Sequence, residues 1–317
     1  MSNSFPKNPT PSELRKAYAG GFAGSKCDPA DVAELLGDLS HPLFGASAFA
    51  LEGGGKGKVS LPFKSLLKFD SGFGPAESQT TGDCVSHAVR NAVDITRSVE
   101  IDVLGEKEDF VFRGATEAIY GCRGHGGQGM SCSQAARFVN SEGGILLRQQ
   151  YGYGREVVDL SVYDSSIGTR WGRKGVPDFL TKEGRRNRVG TISLVTSVEE
   201  ARDALSNGYS LAVCSDVGFS SRRDDNGYAR PKGTWHHAMA WIACNDTKKN
   251  GGPGFLIQNS WGKWNNGGKS YDQPDGSFWI NYDVAARMLR QRGSWVFSDV
   301  DGFPPRKLPD YGGSLWG

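Results

Sequence analysis

Cysteine is scarce, with six in 317 residues, at positions 27, 84, 122, 132, 214 and 244. That density is too low for a disulfide scaffold, so the thiols are expected to be mostly free. An excess of either charge is also missing: 37 Lys and Arg face 35 Asp and Glu. Near-neutrality removes any global electrostatic reason to expect nucleic acid or an anionic membrane as partner. No apolar run approaches the roughly 18 residues that a membrane span needs. The N-terminus, MSNSFPKNPTPSELRKAYAGG, lacks the apolar core of a signal peptide, which points to synthesis in a reducing cytoplasm. Glycine, by contrast, is abundant. Its 44 residues are about twice the usual share of ~7%, without a collagen period, and favour a loop-rich fold. Eight Trp and 16 Phe are ample for a core and argue against disorder.

Residues 1–60 differ in texture from the rest. They hold one helical candidate, Pro29 to Leu39, and end in Glu52-Gly-Gly-Gly-Lys-Gly-Lys58, which reads as a flexible linker. A phosphate loop is excluded there, because Val59 stands where Ser or Thr is required. The main domain is expected over 61–317. It divides into a helical half, about 61–190, and a strand-rich half, about 191–317. Val85 to Arg97 has the apolar spacing of a buried helix. Short helices are expected at Thr116–Tyr120 and Ser133–Asn140, the latter stopped by Gly143-Gly144. Ser197-Val-Glu-Glu200 is a capping box opening a helix over Val198–Ser206, closed by Gly208. Strands follow at Leu211–Cys214, Ala238–Ala243, Phe255–Gln258, Ser277–Ile280 and Ser294–Phe297. Helices first and strands second give an α+β class rather than βαβ alternation. Residues 169–190 carry seven Lys/Arg against two acids and read as a solvated loop between the halves.

Three segments carry chemistry. In Gln79-Thr-Thr-Gly-Asp-Cys84, a turn delivers a cysteine to the start of a helix. Unpaired N–H groups and the positive dipole end favour thiolate there. In Trp235-His236-His237-Ala238, a histidine leads into a strand, placing a base that a cysteine nucleophile needs. Adjacent residues on a strand face opposite ways, so only one of the two histidines can serve. In Gln258-Asn259-Ser-Trp261-Gly262, an apolar strand ends in an Asn whose oxygen can orient an imidazole, with a Trp to shield the bond.

The order Cys84…His237…Asn259 resembles that of papain-like cysteine peptidases, and the likeness covers roughly Leu61 to Phe297. Gly121-Cys122-Arg-Gly-His-Gly126-Gly127 resembles that family's Gly-Cys-x-Gly-Gly loop, with two extra residues. Phe278-Trp-Ile-Asn-Tyr282 resembles its following strand. The resemblance implies a two-lobed fold, a helical lobe and an antiparallel barrel-like lobe, with a cleft between them. It implies Cys84 as nucleophile, His237 as general base and acid, Asn259 as orienting residue and Gln79 as oxyanion donor. It further implies Gly126, Gly127 and Trp261 along the substrate, a peptide or protein. Val85 stands in place of the family's usual Trp, and Thr81 replaces a cysteine that would pair with Cys122. No cofactor or metal is required. Cys122, His125 and Cys132 offer only three candidate ligands, without a paired C-x-x-C, so a structural role or a local disulfide is expected of them. Two other classes fit the same residues: a peptidoglycan amidase or endopeptidase, and a virion or structural component of the same fold. For that last class, residues 1–60 would supply the assembly contact.

Overall fold

The Gly82-Asp83 turn leads into a helix that begins at Cys84 and runs to Leu104, stopped by Gly105 at φ +67°. In this computed structural model, which describes residues 25–26, 28–73, 77–105 and 113–313, that helix is the central element. Val85, Ala88, Val89, Ala92 and Val93 enter one apolar cluster and Ile95 another. Apolar contacts on more than one side mark a core helix rather than a surface one. Glu117–Gly121 and Cys132–Arg137 pack beside it, the latter continuing as a π-helical turn, Phe138–Glu142, up to Gly143.

The other half is an open antiparallel sheet, not a closed barrel. Four short strands lie outside it: β1 (Ser25–Lys26), β3 (Met130–Ser131), β4 (Gln150–Tyr153) and β5 (Glu156–Asp159); its own main strands are β6 (Thr191–Leu194), β7 (Leu211–Arg223), β8 (Ala229–Asn245), β9 (Gly254–Gln258), β10 (Ser277–Asn281) and β11 (Ser294–Ser298). They lie in the order β10-β9-β8-β7-β11-β6, and β2 (Val59–Ser60) adds to β8. The central helix packs across β7 and β8, which joins the two halves. β7 and β8 extend well beyond the apolar stretches that marked them, as a twisted ribbon with register shifts after Ser215. Such irregularities increase local twist. The capping box forms as expected: Ser197 Oγ accepts from Glu200 N, and the Val198–Ser206 helix ends before Gly208.

Three expectations change. Segment 169–190 is not a single loop: most of it lies in two helices, Ser165–Lys174 and Asp178–Gly184, and a single turn at 185–187. Ile167, Trp171 and Leu180 are buried and anchor them, which the count of charges concealed. The Gly53–Lys58 segment is held, not loose, since Gly53 N and Gly55 N donate to the Asp203 carboxylate at 2.8 and 3.0 Å. Residues following it are stitched to the end of the chain. Val59 N donates to Asp310 Oδ1 and Tyr311 N to Val59 O, both at 2.9 Å. Finally, the thiols are not all free. Cys132 of the helical half is bonded to Cys214 on β7, their Cα atoms 6.5 Å apart. Among the described cysteines, Cys122 and Cys244 are thiols outside any disulfide.

Candidate active site

Position 84 is the first residue of the central helix, where the helix lies against the sheet. His237 is on β8, opposite Ser215 of β7 and one residue from the Cys214–Ala238 pair. Cys84, Cys132, Cys214 and Ala238 belong to one buried cluster, so the disulfide ties the two halves beside the cysteine and histidine. The two adjacent histidines differ in burial. His237 is fully buried, whereas His236 is exposed and adopts φ +46°.

Asn259 follows β9, which pairs with β8, and this brings it to His237. The His237 Nε2–Asn259 Oδ1 distance is 2.8 Å. The same oxygen accepts from Ser260 N at 2.8 Å, so it is an acceptor and Nε2 carries the proton. That leaves Nδ1 as the basic nitrogen of the ring. Trp261 packs on the imidazole with ring centroids 4.6 Å apart, and Trp235 lies edge-on at 6.2 Å. Trp264 closes the aromatic group against Trp235 and Trp261. The seal strengthens the His–Asn bond by excluding water. It also disfavours the charged ring: burial, outweighing the Asn259 bond, pushes His237 down to about 4, with the nearby His87 adding to the effect.

Gln79 lies in the same cluster. Its Oε1 accepts from Ser260 Oγ at 2.5 Å and from Trp261 Nε1 at 3.1 Å, and its Nε2 donates to Thr81 O at 2.7 Å. The side-chain amide is therefore fixed between the turn before Cys84 and the Asn259-Ser-Trp segment. Cys84, His237, Asn259 and Gln79 are all fully buried, and Trp261 nearly so; the site is closed in this conformation.

The glycine loop sits less simply. Gly126 is half-buried against Arg173, and a Cβ there would meet the Arg173 side chain at 2.3 Å. Gly127 is exposed, but its N–H donates to His125 Nδ1 at 3.2 Å and its carbonyl accepts from Arg123 Nε at 3.1 Å. A substrate backbone at Gly127 would compete with both bonds. The three-ligand reading of Cys122, His125 and Cys132 fails because Cys132 is spent in the disulfide. The expected local disulfide is replaced by the long-range one, and burial pushes the Cys122 thiol up. Sequence reasoning missed Gln128, whose Oε1 accepts from Thr81 Oγ1 at 2.7 Å and Gly82 N at 2.6 Å. It clamps the glycine loop onto the turn before Cys84. The only signal for it was a polar side chain next to Gly-Gly.

This arrangement of central helix and sheet is similar to that of xylellain, a cysteine protease from Xylella fastidiosa. The TM-score is 0.52 at 16% identity, over 87% of this chain and 90% of that one. The proform of Amb a 11, a cysteine protease and ragweed pollen allergen, gives 0.48 at 15% identity over 76% and 65% of the two chains. Procathepsin B of Trypanosoma congolense gives 0.47 at 13% identity over 75% and 76%. No family model and no curated protein matches the chain. The likeness is therefore one of architecture, and the chain has an α+β papain-like fold.

Proposed function

We propose that the protein is a cysteine endopeptidase that cleaves peptide bonds through an acyl-enzyme. The observation that carries this reading is the buried His237–Asn259 bond, capped by Trp261 and set beside the helix that starts at Cys84. In the proposed cycle, His237 Nδ1 takes the Cys84 thiol proton as sulfur attacks the carbonyl carbon. The carbonyl oxygen becomes an oxyanion, stabilised by the Cys84 backbone N–H at the helix start and by the Gln79 side-chain amide. The same imidazole returns the proton to the departing amine, and an acyl-thioester remains. Water then attacks that ester with His237 again as base, releasing acid and thiol. Each oxyanion donor in chemistry of this kind is worth about 3–4 kcal/mol. Asn259 holds the ring in the tautomer the cycle needs. Gly126, Gly127 and Trp261 are proposed to flank the bound peptide once the closed site opens.

The deciding experiment combines hydrolysis of a fluorogenic peptide panel with labelling by an epoxide thiol inhibitor. Cys84→Ala and His237→Ala should abolish hydrolysis, and His236→Ala should retain most of it. Label uptake that survives Cys84→Ala would overturn the assignment of the nucleophile. The complete burial of Cys84 and His237 supports a second reading, a structural component of the same fold without turnover. A protein that neither hydrolyses peptides nor takes the label, yet assembles with a particle, would favour it. Clearing of purified peptidoglycan would instead direct the same chemistry to cell-wall cross-links.

A further inference from the structure

The residue before the nucleophile is a buried carboxylate. Asp83 and His87, one helical turn on, are each only 1% exposed, and His87 Nε2 lies 3.5 Å from Asp83 Oδ2. That same Oδ2 accepts from Tyr163 Oη at 2.7 Å, while Asp83 Oδ1 has no hydrogen-bond partner among the described residues. The Tyr163 ring stands edge-on to the His87 ring at 5.1 Å, and Tyr163 is itself fixed by Thr80 N at 3.1 Å. Asp83 does not cap its helix, so the usual reason for an Asp at this position is missing.

A carboxylate with one hydrogen bond in a dry site is costly unless a cation balances it. It is also adjacent to Cys84, where it opposes any negative charge forming on sulfur. The groups facing His87 are few. Asp83 and Tyr163 are in contact with it. Glu77 and His237 are within electrostatic range. Glu77 is already paired with Arg90 and Arg148, and Arg123, which feels Asp83, is held by four backbone carbonyls. Among the described residues, His87 is thus the one basic side chain paired with Asp83.

We propose that His87 is a positioning residue of the site: paired with Asp83, it offsets that carboxylate, so that Asp83 does not oppose the charge developing on Cys84. Tyr163 holds Asp83 toward His87. The inference rests on the roles of Cys84 and His237 given above. It accounts for a second buried histidine that the proposed cycle leaves unused.

The test is the pH profile of kcat/KM on a peptide substrate for the full-length protein, H87Q, Y163F and the double variant D83N/H87Q. In H87Q the unbalanced Asp83 charge disfavours thiolate and favours imidazolium at His237. Both limbs of the profile should therefore move toward alkaline pH, by about one unit. In D83N/H87Q neither charge remains, and the limbs should return to within a few tenths of a unit of the parent. Y163F should move them the same way by a smaller amount, and it decides the matter if H87Q does not fold. Parent-like limbs in an active H87Q, or a shift that D83N fails to reverse, would overturn the inference while leaving the peptidase reading intact. A parent protein that hydrolyses no peptide would overturn both.

Discussion

Breaking the Cys132–Cys214 bond should weaken the fold more than any single surface change. The two cysteines are 82 residues apart in sequence. Cross-linking a loop of that length removes unfolded-chain entropy equivalent to about 4.5 kcal/mol at 25 °C. Measured losses for native disulfides run from about 2 to 5 kcal/mol, so the loop length places this one near the upper end. Both sulfurs are buried in an apolar cluster, so alanine, not serine, is the right replacement: it introduces no unpaired hydroxyl. The double variant Cys132→Ala/Cys214→Ala should lose at least about 2 kcal/mol, and its melting temperature should fall by roughly 5–15 °C. Differential scanning calorimetry measures that drop. Mass spectrometry after alkylation of the unfolded, unreduced parent should find both cysteines protected. Alkylation of both in the parent, or a melting point within a degree of it in the variant, would refute the reasoning.

Three further outcomes follow from the site and its frame. His237 is neutral in the folded protein down to about pH 4, against 6.5 when unperturbed. Between those values the unfolded chain binds the extra proton, so this stability is present above pH 6.5 and lost as pH falls toward 4. The loss is up to about 3 kcal/mol; urea titrations at pH 7 and 4.5 should show it in the parent, and a His237→Gln variant with the same pH slope would contradict it. Asn259→Ala should lower kcat/KM at least about tenfold by freeing the imidazole to rotate and change tautomer, and should also lower the melting temperature by a few degrees, because the His237 and Ser260 N–H groups lose a buried acceptor. Gly208→Ala should cost about 2–3 kcal/mol, because φ is +82° and a Cβ would come within 2.5 Å of Val99 Cγ1. An unchanged urea midpoint would mean that the turn adjusts freely.

What could be read from the sequence was local. The capping box at Ser197, the helix starting at Cys84 and the two faces presented by His236 and His237 all depend on neighbours a few residues away. The strands were found where they are apolar and cut short where they leave the core: Ser220 to Arg222 and Pro231 to Gly233 continue β7 and β8 without hydrophobic alternation. The helices around Trp171 and Leu180 were hidden because charged residues outnumber their buried anchors. What the sequence could not disclose was distant partnership. Nothing near Gly53 or Gly55 announces Asp203, about 150 positions away, and sparse cysteines with no pairing pattern gave no hint of Cys132–Cys214. The Asp83–His87 pair lies at i,i+4, within local reach, but its importance depends on burial, which a charge pattern alone does not report.

The seam at Val59 has a consequence for how the chain is made. Its β2 neighbours are Asn245 and Cys244, and its N–H is taken by Asp310, 251 positions away. Residues 59 and 60 leave the ribosome early, yet their β2 partners and Asp310 are all among the later-synthesised residues. The helices between Cys84 and Gly184 can pack on one another while translation continues; the seam must wait for Asp310 and for its last partner, Tyr311. Closing loops of that span is slow relative to local helix packing. Residues 59 and 60 therefore join the sheet only after the strand they pair with has been made, and a nascent chain arrested before residue 310 would hold them open to proteolysis.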